Sequence, residues 1–188
     1  MRSIASAPFV RILCSILLAG IAERAIAVDS AYATVGGDRN ITVYGAGLSW
    51  APWWTLPMGS DWIVSLRGTA GVAYWDAHGG GTGGRNKSLI AVGAYPVVRA
   101  AMTSLAGVVP YVEASIGANV LSHTWIENRR LSTAFQFGEF IGIGAAFGDK
   151  RQFDIGAHYQ HISNADIKRP NDGLSYGSIV FQYHFGPP

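Results

Sequence analysis

Along most of this chain, apolar and polar positions alternate with a period of two, and the alternating stretches are separated by Gly, Pro, Asn and Asp. The pattern predicts eight strands, near residues 30–36, 40–51, 61–76, 87–101, 108–121, 131–147, 152–163 and 175–185. The last is the clearest. Ile179, Phe181, Tyr183 and Phe185 fall on one face, and Tyr176, Ser178, Val180, Gln182 and His184 fall on the other. No period of 3.6 persists beyond the N-terminal segment, which argues against an α/β fold.

That N-terminal segment has a different pattern. Arg2 and Arg11 precede an apolar run over residues 12–22, and Ala25, Ile26 and Ala27 form a small-x-small triplet. A short apolar run between basic residues and such a triplet predicts a secretory signal peptide over residues 1–27, with the mature domain at 28–188. Removing it leaves 11 basic and 11 acidic residues, so the formal charge of +2 belongs to the leader. Cys14, the one cysteine, leaves with it, which excludes disulfide and thiolate chemistry in the exported domain.

Composition narrows the fold class. Of 188 residues, 49% are hydrophobic and only 14% charged, against about a quarter in an ordinary soluble domain. Past residue 30 nothing approaches the roughly 20 apolar residues that a membrane helix needs. An oily chain of alternating strands is therefore expected to be an all-β, eight-stranded antiparallel transmembrane β-barrel. The near-neutral mature charge gives no footing for nucleic acid.

In such a barrel the apolar faces meet lipid. The opposite parity, with Arg67, Glu113, Asp154, His158 and Gln160, fills the interior as a packed polar core with paired charges and no open pore. With both termini periplasmic, the connections 36–39, 77–86, 122–130 and 164–174 face outward. Arg39, Arg85, Lys87, Arg129, Arg130, Lys168 and Arg169 lie on or beside them, a basic rim suited to the phosphates of lipopolysaccharide.

Some features that suggest chemistry have simpler readings. The glycine run at residues 79–84 lacks the Lys-Ser/Thr pair of a phosphate loop, so a mobile outer loop is expected there. Trp53 and Trp54 suit an interfacial aromatic girdle. His158 and His161, three apart on a strand, point to opposite faces and make no metal pair.

A more specific pattern lies on strand seven. Phe153, Ile155, Ala157, Tyr159, His161 and Ser163 share one parity, so a lipid-facing series ends in a histidine and a serine at its outer end. Residues two apart on a strand share a face, with Cα atoms roughly 6 to 7 Å apart, which permits a Ser–His nucleophile pair. An incidental pair of interfacial polar residues has the same spacing.

His161-Ile162-Ser163-Asn164-Ala165, followed by Lys168 and Pro170-Asn171-Asp172-Gly173, resembles the C-terminal block of the PagL family of outer-membrane lipid A 3-O-deacylases. The likeness extends upstream through Phe135, Phe137, Glu139 and residues 142–144. It implies a cofactor-free serine esterase of the Gram-negative outer membrane that hydrolyses the 3-O-linked acyl chain of lipid A, with outer-membrane lipid around it. His161 and Ser163 carry over as general base and nucleophile. The family glutamate falls at Ser175, which has no carboxylate. A tight turn at residues 149–151 would pair residues whose numbers sum to 300 and set Glu139 opposite His161, which nominates Glu139 as the orienting acid, with Asp172 the alternative. By resemblance, Asn171 and the backbone around Asn164 to Asp166 would serve as oxyanion or substrate-binding donors; Asp166 replaces a small residue there, a charge that needs Lys168 or Arg169 beside it. The alternative function is a barrel that binds lipopolysaccharide without turnover, having lost the carboxylate. Pairing into a homodimer is left open by the sequence.

Overall fold

The computed structural model describes residues 27–78, 86–103 and 107–185. The expected signal peptide and the glycine run at 79–84 lie outside the described residues. The strands are β1 (Val28–Gly37), β2 (Ile41–Trp50), β3 (Trp54–Met58), β4 (Trp62–Ala77), β5 (Ser88–Met102), β6 (Val109–Leu121), β7 (Trp125–Ile126), β8 (Arg129–Arg130), β9 (Phe135–Phe147), β10 (Phe153–Ser163) and β11 (Leu174–His184). They run in the order β2-β1-β11-β10-β9-β6-β5-β4-β3, and a β2–β4 pairing closes the sheet. Every pairing is antiparallel. Closure removes the unpaired edges that hydrocarbon does not tolerate.

Two expected boundaries move. The connection expected at 52–60 is largely strand, because β3 continues β2 along β4 after a break. Ser49 pairs with Thr69 and Trp54 with Leu66, so five steps on one side meet three on the other. The extra residues, including Pro52, form a bulge. The strand expected to begin at 131 begins at 135 instead, and the chain before it makes the small β7–β8 hairpin.

Burial follows the alternation. Ile116, Ile141 and Ile143 are each about two-thirds exposed, as lipid-facing side chains must be in the absence of lipid. Inside, the expected polar filling holds for only part of the length. Toward the end where β1, β5 and β11 meet the termini and the short turns, Arg99 donates to Glu113 at 2.7 Å and to Asp154 at 2.6 Å, and the His158 ring nitrogen Nε2 meets Glu113 at 2.7 Å. Midway, Tyr95 donates to Asn119 at 2.8 Å, Gln160 donates to Tyr95 at 3.1 Å, and Tyr176 donates to Gln160 at 2.9 Å. Gly138 must be glycine, because a Cβ there would collide with the Tyr95 hydroxyl.

The outer third is apolar. Ile41, Val43, Trp75, Leu89, Ile162 and Leu174 form a cluster stoppered by Ile126 and Leu131 from the β7–β8 segment, both fully buried. The hairpin is thus a plug, and it occupies the mouth beside the His161–Ser163 end of β10.

Candidate active site

The site grows from the last turn of alternation on β10. Ile162 is buried in the plug cluster, which forces His161 and Ser163 to the outer face. Both neighbouring strands meet His161 in register. From β9 the partner is Glu139, which confirms the register expected from the turn, and from β11 it is Ser175. The ring is held by the second: Nδ1 of His161 lies 2.7 Å from the Ser175 hydroxyl. Glu139 is exposed and stands beside His161 in an open external groove, with no hydrogen bond or ion pair among the described residues. Pro96, Val98, Ile116, Ile141 and Tyr159 line the rest of that groove, which has a volume of ≈ 690 Å³.

With Nδ1 engaged, Nε2 is the ring nitrogen left for Ser163. Gly173 lies against both residues. A Cβ built on it would stand 3.2 Å from Cε1 of His161 and 3.5 Å from Cβ of Ser163, and its φ of +58° is one that glycine adopts without strain. The Ala165 N–H is 3.5 Å from the Ser163 Oγ. Ala165 and Asp166 follow with φ of 51° and 61°, two successive left-handed residues without the glycine that normally relieves such backbone.

The residues expected as oxyanion donors divide. Asn164 is fully buried, and its amide nitrogen donates to the carbonyls of Leu131 and Lys168, both at 2.8 Å. Both of its amide hydrogens are therefore used. The backbone N–H of Asn164 donates to Oδ1 of Asn171 at 3.1 Å. Asn164 is a tie between loop and plug rather than an open donor. Asn171 keeps more freedom, with one amide contact to Asp166 at 3.4 Å.

The charge of Asp166 is balanced as its position requires. Its carboxylate accepts from Arg169 at 2.8 Å, and hydrogen bonds from Arg169 and Asn171, with the guanidinium charge, hold its pKa below the ordinary aspartate value. Asp172, the alternative acid, accepts from the Arg130 backbone N–H at 2.6 Å. Of the seven rim cations, Arg85 lies outside the described residues and Arg129 is paired with Asp38. The Ser175 contact is the one that the sequence allows, because Ser175 occupies the position at which the resemblance places the acid and its hydroxyl can bond the imidazole. Sequence reasoning missed the ties from plug to loop.

Fold and site together define a transmembrane β-barrel with a histidine–serine pair on its lipid-facing exterior. The family described as lipid A 3-O-deacylase (PagL) matches residues 42–184, and the chain belongs to it. It is 35% identical over 133 residues to the lipid A deacylase PagL of Bordetella bronchiseptica, covering 70% of each chain. It is 28% identical over 174 residues to that of Pseudomonas aeruginosa, covering 91% of this chain and 94% of that one. The crystal structure of the outer membrane enzyme PagL superposes with a TM-score of 0.72 at 27% identity, over 82% of this chain and 98% of the other. The chain is accordingly an outer-membrane barrel.

Proposed function

We propose that this barrel is a lipid A 3-O-deacylase working as a serine esterase, with Ser163 as nucleophile and His161 as general base. The Ser163 oxygen attacks the carbonyl carbon of the 3-O-acyl ester while Nε2 of His161 takes its proton. The tetrahedral oxyanion is met by the Ala165 N–H and the free amide hydrogen of Asn171. Collapse breaks the bond to the sugar oxygen, which leaves as a hydroxyl with the proton from His161. Water, activated by the same imidazole, then releases the fatty acid and restores Ser163. The apolar groove beside Glu139 and His161 is where an acyl chain arriving laterally from the outer leaflet would lie, and no cofactor enters the cycle.

The single observation that carries this reading is the 2.7 Å contact between Nδ1 of His161 and Ser175. A hydroxyl accepting from Nδ1–H leaves Nε2 as the basic nitrogen, which is the tautomer that a nucleophilic serine requires. Glu139, opposite His161 in register, supplies a carboxylate beside the ring and favours the transient imidazolium through space. Two observations stand on the side of a binding-only barrel: Ser175 is neutral, and His161 and Ser163 share no hydrogen bond in the resting site.

Mass spectrometry of lipid A from Gram-negative cells expressing the wild type, beside cells expressing Ser163→Ala at equal membrane level, decides between them. Loss of one 3-hydroxyacyl chain with the wild type alone is expected. Unchanged lipid A in both, with deacylation absent in detergent as well, would leave binding without turnover.

A further inference from the structure

The guanidinium of Arg129 is partly buried and bridges two segments at the outer end of the barrel. Its Nη2 pairs with Oδ2 of Asp38, and its Nη1 donates to the carbonyl of Gly173 at 3.1 Å. Asp38 is itself fixed, because its other oxygen accepts from the backbone N–H groups of Asn40 and Ile41, both at 2.9 Å. Arg129 therefore joins the β1–β2 turn, the plug and the loop after Ser163. Gly173, where it takes hold, is the residue on which a Cβ would meet His161 and Ser163, at 3.2 and 3.5 Å, so its backbone borders the pair.

Other ties between plug and loop hold other residues: Asn164 donates to the Leu131 carbonyl at 2.8 Å, and Asp172 accepts from the Arg130 N–H at 2.6 Å. Asp172 N–H donates to the Arg130 carbonyl at 3.1 Å, and Ser132 donates to the Pro170 carbonyl at 2.6 Å. Arg129 is the tie that reaches Gly173 itself, and the one that does so with a charged fork holding two partners. Its side chain is only 26% exposed, so it is poorly placed to serve as a free cation for a lipid phosphate.

We infer that Arg129 is a positioning residue for deacylation: it holds Gly173 against the His161–Ser163 pair, so that removing it costs turnover rather than lipid affinity. The inference rests on the proposed Ser163–His161 chemistry. A shift on the order of 1 Å in a reacting pair lowers rates by about 100-fold, and loss of one of several ties to the loop is expected to lower kcat about 10- to 100-fold.

The test uses the full barrel in detergent. It measures kcat and KM for fatty-acid release from purified lipopolysaccharide, together with the rate at which a fluorophosphonate labels Ser163. For Arg129→Ala, kcat and labelling rate should fall together while KM stays within about threefold, and Arg129→Lys, which restores one of the two contacts, should recover part of both. Heat-modifiable migration on gels reports the folded barrel, and if Arg129→Ala does not fold, the near-isosteric Arg129→Gln is read in its place. Wild-type kcat in the folded variant, or a loss confined to KM, overturns the inference and leaves the esterase reading intact. A wild type without Ser163-dependent turnover or labelling overturns both.

Discussion

Ser175 offers the sharpest perturbation, because one hydroxyl replaces a carboxylate and the effect of each can be bounded. The 2.7 Å contact to Nδ1 of His161 is a hydrogen bond between neutral groups in the resting site. Such a bond contributes about 0.5–1.5 kcal/mol net, and about 1.5–3 kcal/mol once one partner is charged. In the transition state the ring is an imidazolium, so Ser175→Ala removes a charge-assisted bond from the transition state and a neutral one from the ground state. The difference, about 1–1.5 kcal/mol, is a five- to tenfold fall in kcat. Ser175→Glu works in the opposite direction. A carboxylate bond to a cation is roughly twice as strong as its neutral counterpart, so about another 1 kcal/mol, or a fivefold rise in kcat, is expected. Because a carboxylate favours the protonated ring, the acidic limb of the pH–rate profile should move to higher pH in Ser175→Glu. The assay is fatty-acid release from lipopolysaccharide in detergent across pH 5 to 9, at matched folded protein. An unchanged kcat in Ser175→Ala would refute the claim that this hydroxyl orients the ring. A slower Ser175→Glu would show that the surroundings of residue 175 no longer admit an acid.

Four further outcomes follow from the same geometry. Glu139→Gln should lower kcat severalfold with little change in KM, and full activity in that variant would remove Glu139 from the mechanism. Asn164→Ala removes one donor each from the Leu131 and Lys168 carbonyls; two lost hydrogen bonds cost about 0.5–1.5 kcal/mol each, and faster proteolysis of the 164–173 loop should report it. Arg99→Ala takes the shared cation from Glu113 and Asp154 and leaves them His158 and Tyr111, a loss of up to about 3–5 kcal/mol for a broken buried pair, visible as a lower urea midpoint for unfolding from detergent. Asp166 has a depressed pKa in the fold, so its tie to Arg169 is present above the ordinary aspartate value of about 3.9 and is lost only as pH falls through the lower folded value. The ratio of Arg169→Ala to wild-type activity should therefore stay constant from pH 5 to 8.

The barrel was legible because alternation of period two is long-range and redundant. A register that pairs residues 147 and 153 also pairs 139 with 161, and no side chain needs to be known to count it. What escaped the sequence lacks that redundancy. The β2–β3 break is a bulge of two residues around Pro52, and β7–β8 consists of two-residue strands within Trp125-Ile126-Glu127-Asn128-Arg129-Arg130. Ile126 and Leu131 stand in a short, mostly polar segment without a regular period, and only the open mouth of a barrel makes them a plug. The same holds for the site. His161 and Ser163 declare themselves by parity and motif and Ser175 by its place in the motif, whereas the Arg129–Gly173 tie joins two loops that no period relates. Asn164 looks like a donor until the carbonyls of Leu131 and Lys168 are seen to take both its hydrogens.

Strand β10 explains why such a site can work on a surface that faces lipid. Its inward side chains are immobilised in turn: Asp154 by Arg99 and Tyr111, His158 by Glu113 and by stacking on Phe140 at 4.5 Å, Gln160 by Tyr95 and Tyr176, and Ile162 by the plug. Because outward residues share this backbone, the lumen fixes where His161 and Ser163 stand, and the plug fixes the loop that follows them. A catalytic pair must be held within about 0.5 Å by its support. Here that support lies inside the barrel, leaving the outer face free for an acyl chain to enter and leave. A change deep in the lumen that leaves the barrel folded, such as Gln160→Leu, should therefore be felt at Ser163 as slower fluorophosphonate labelling, although no atom of the external groove has been altered.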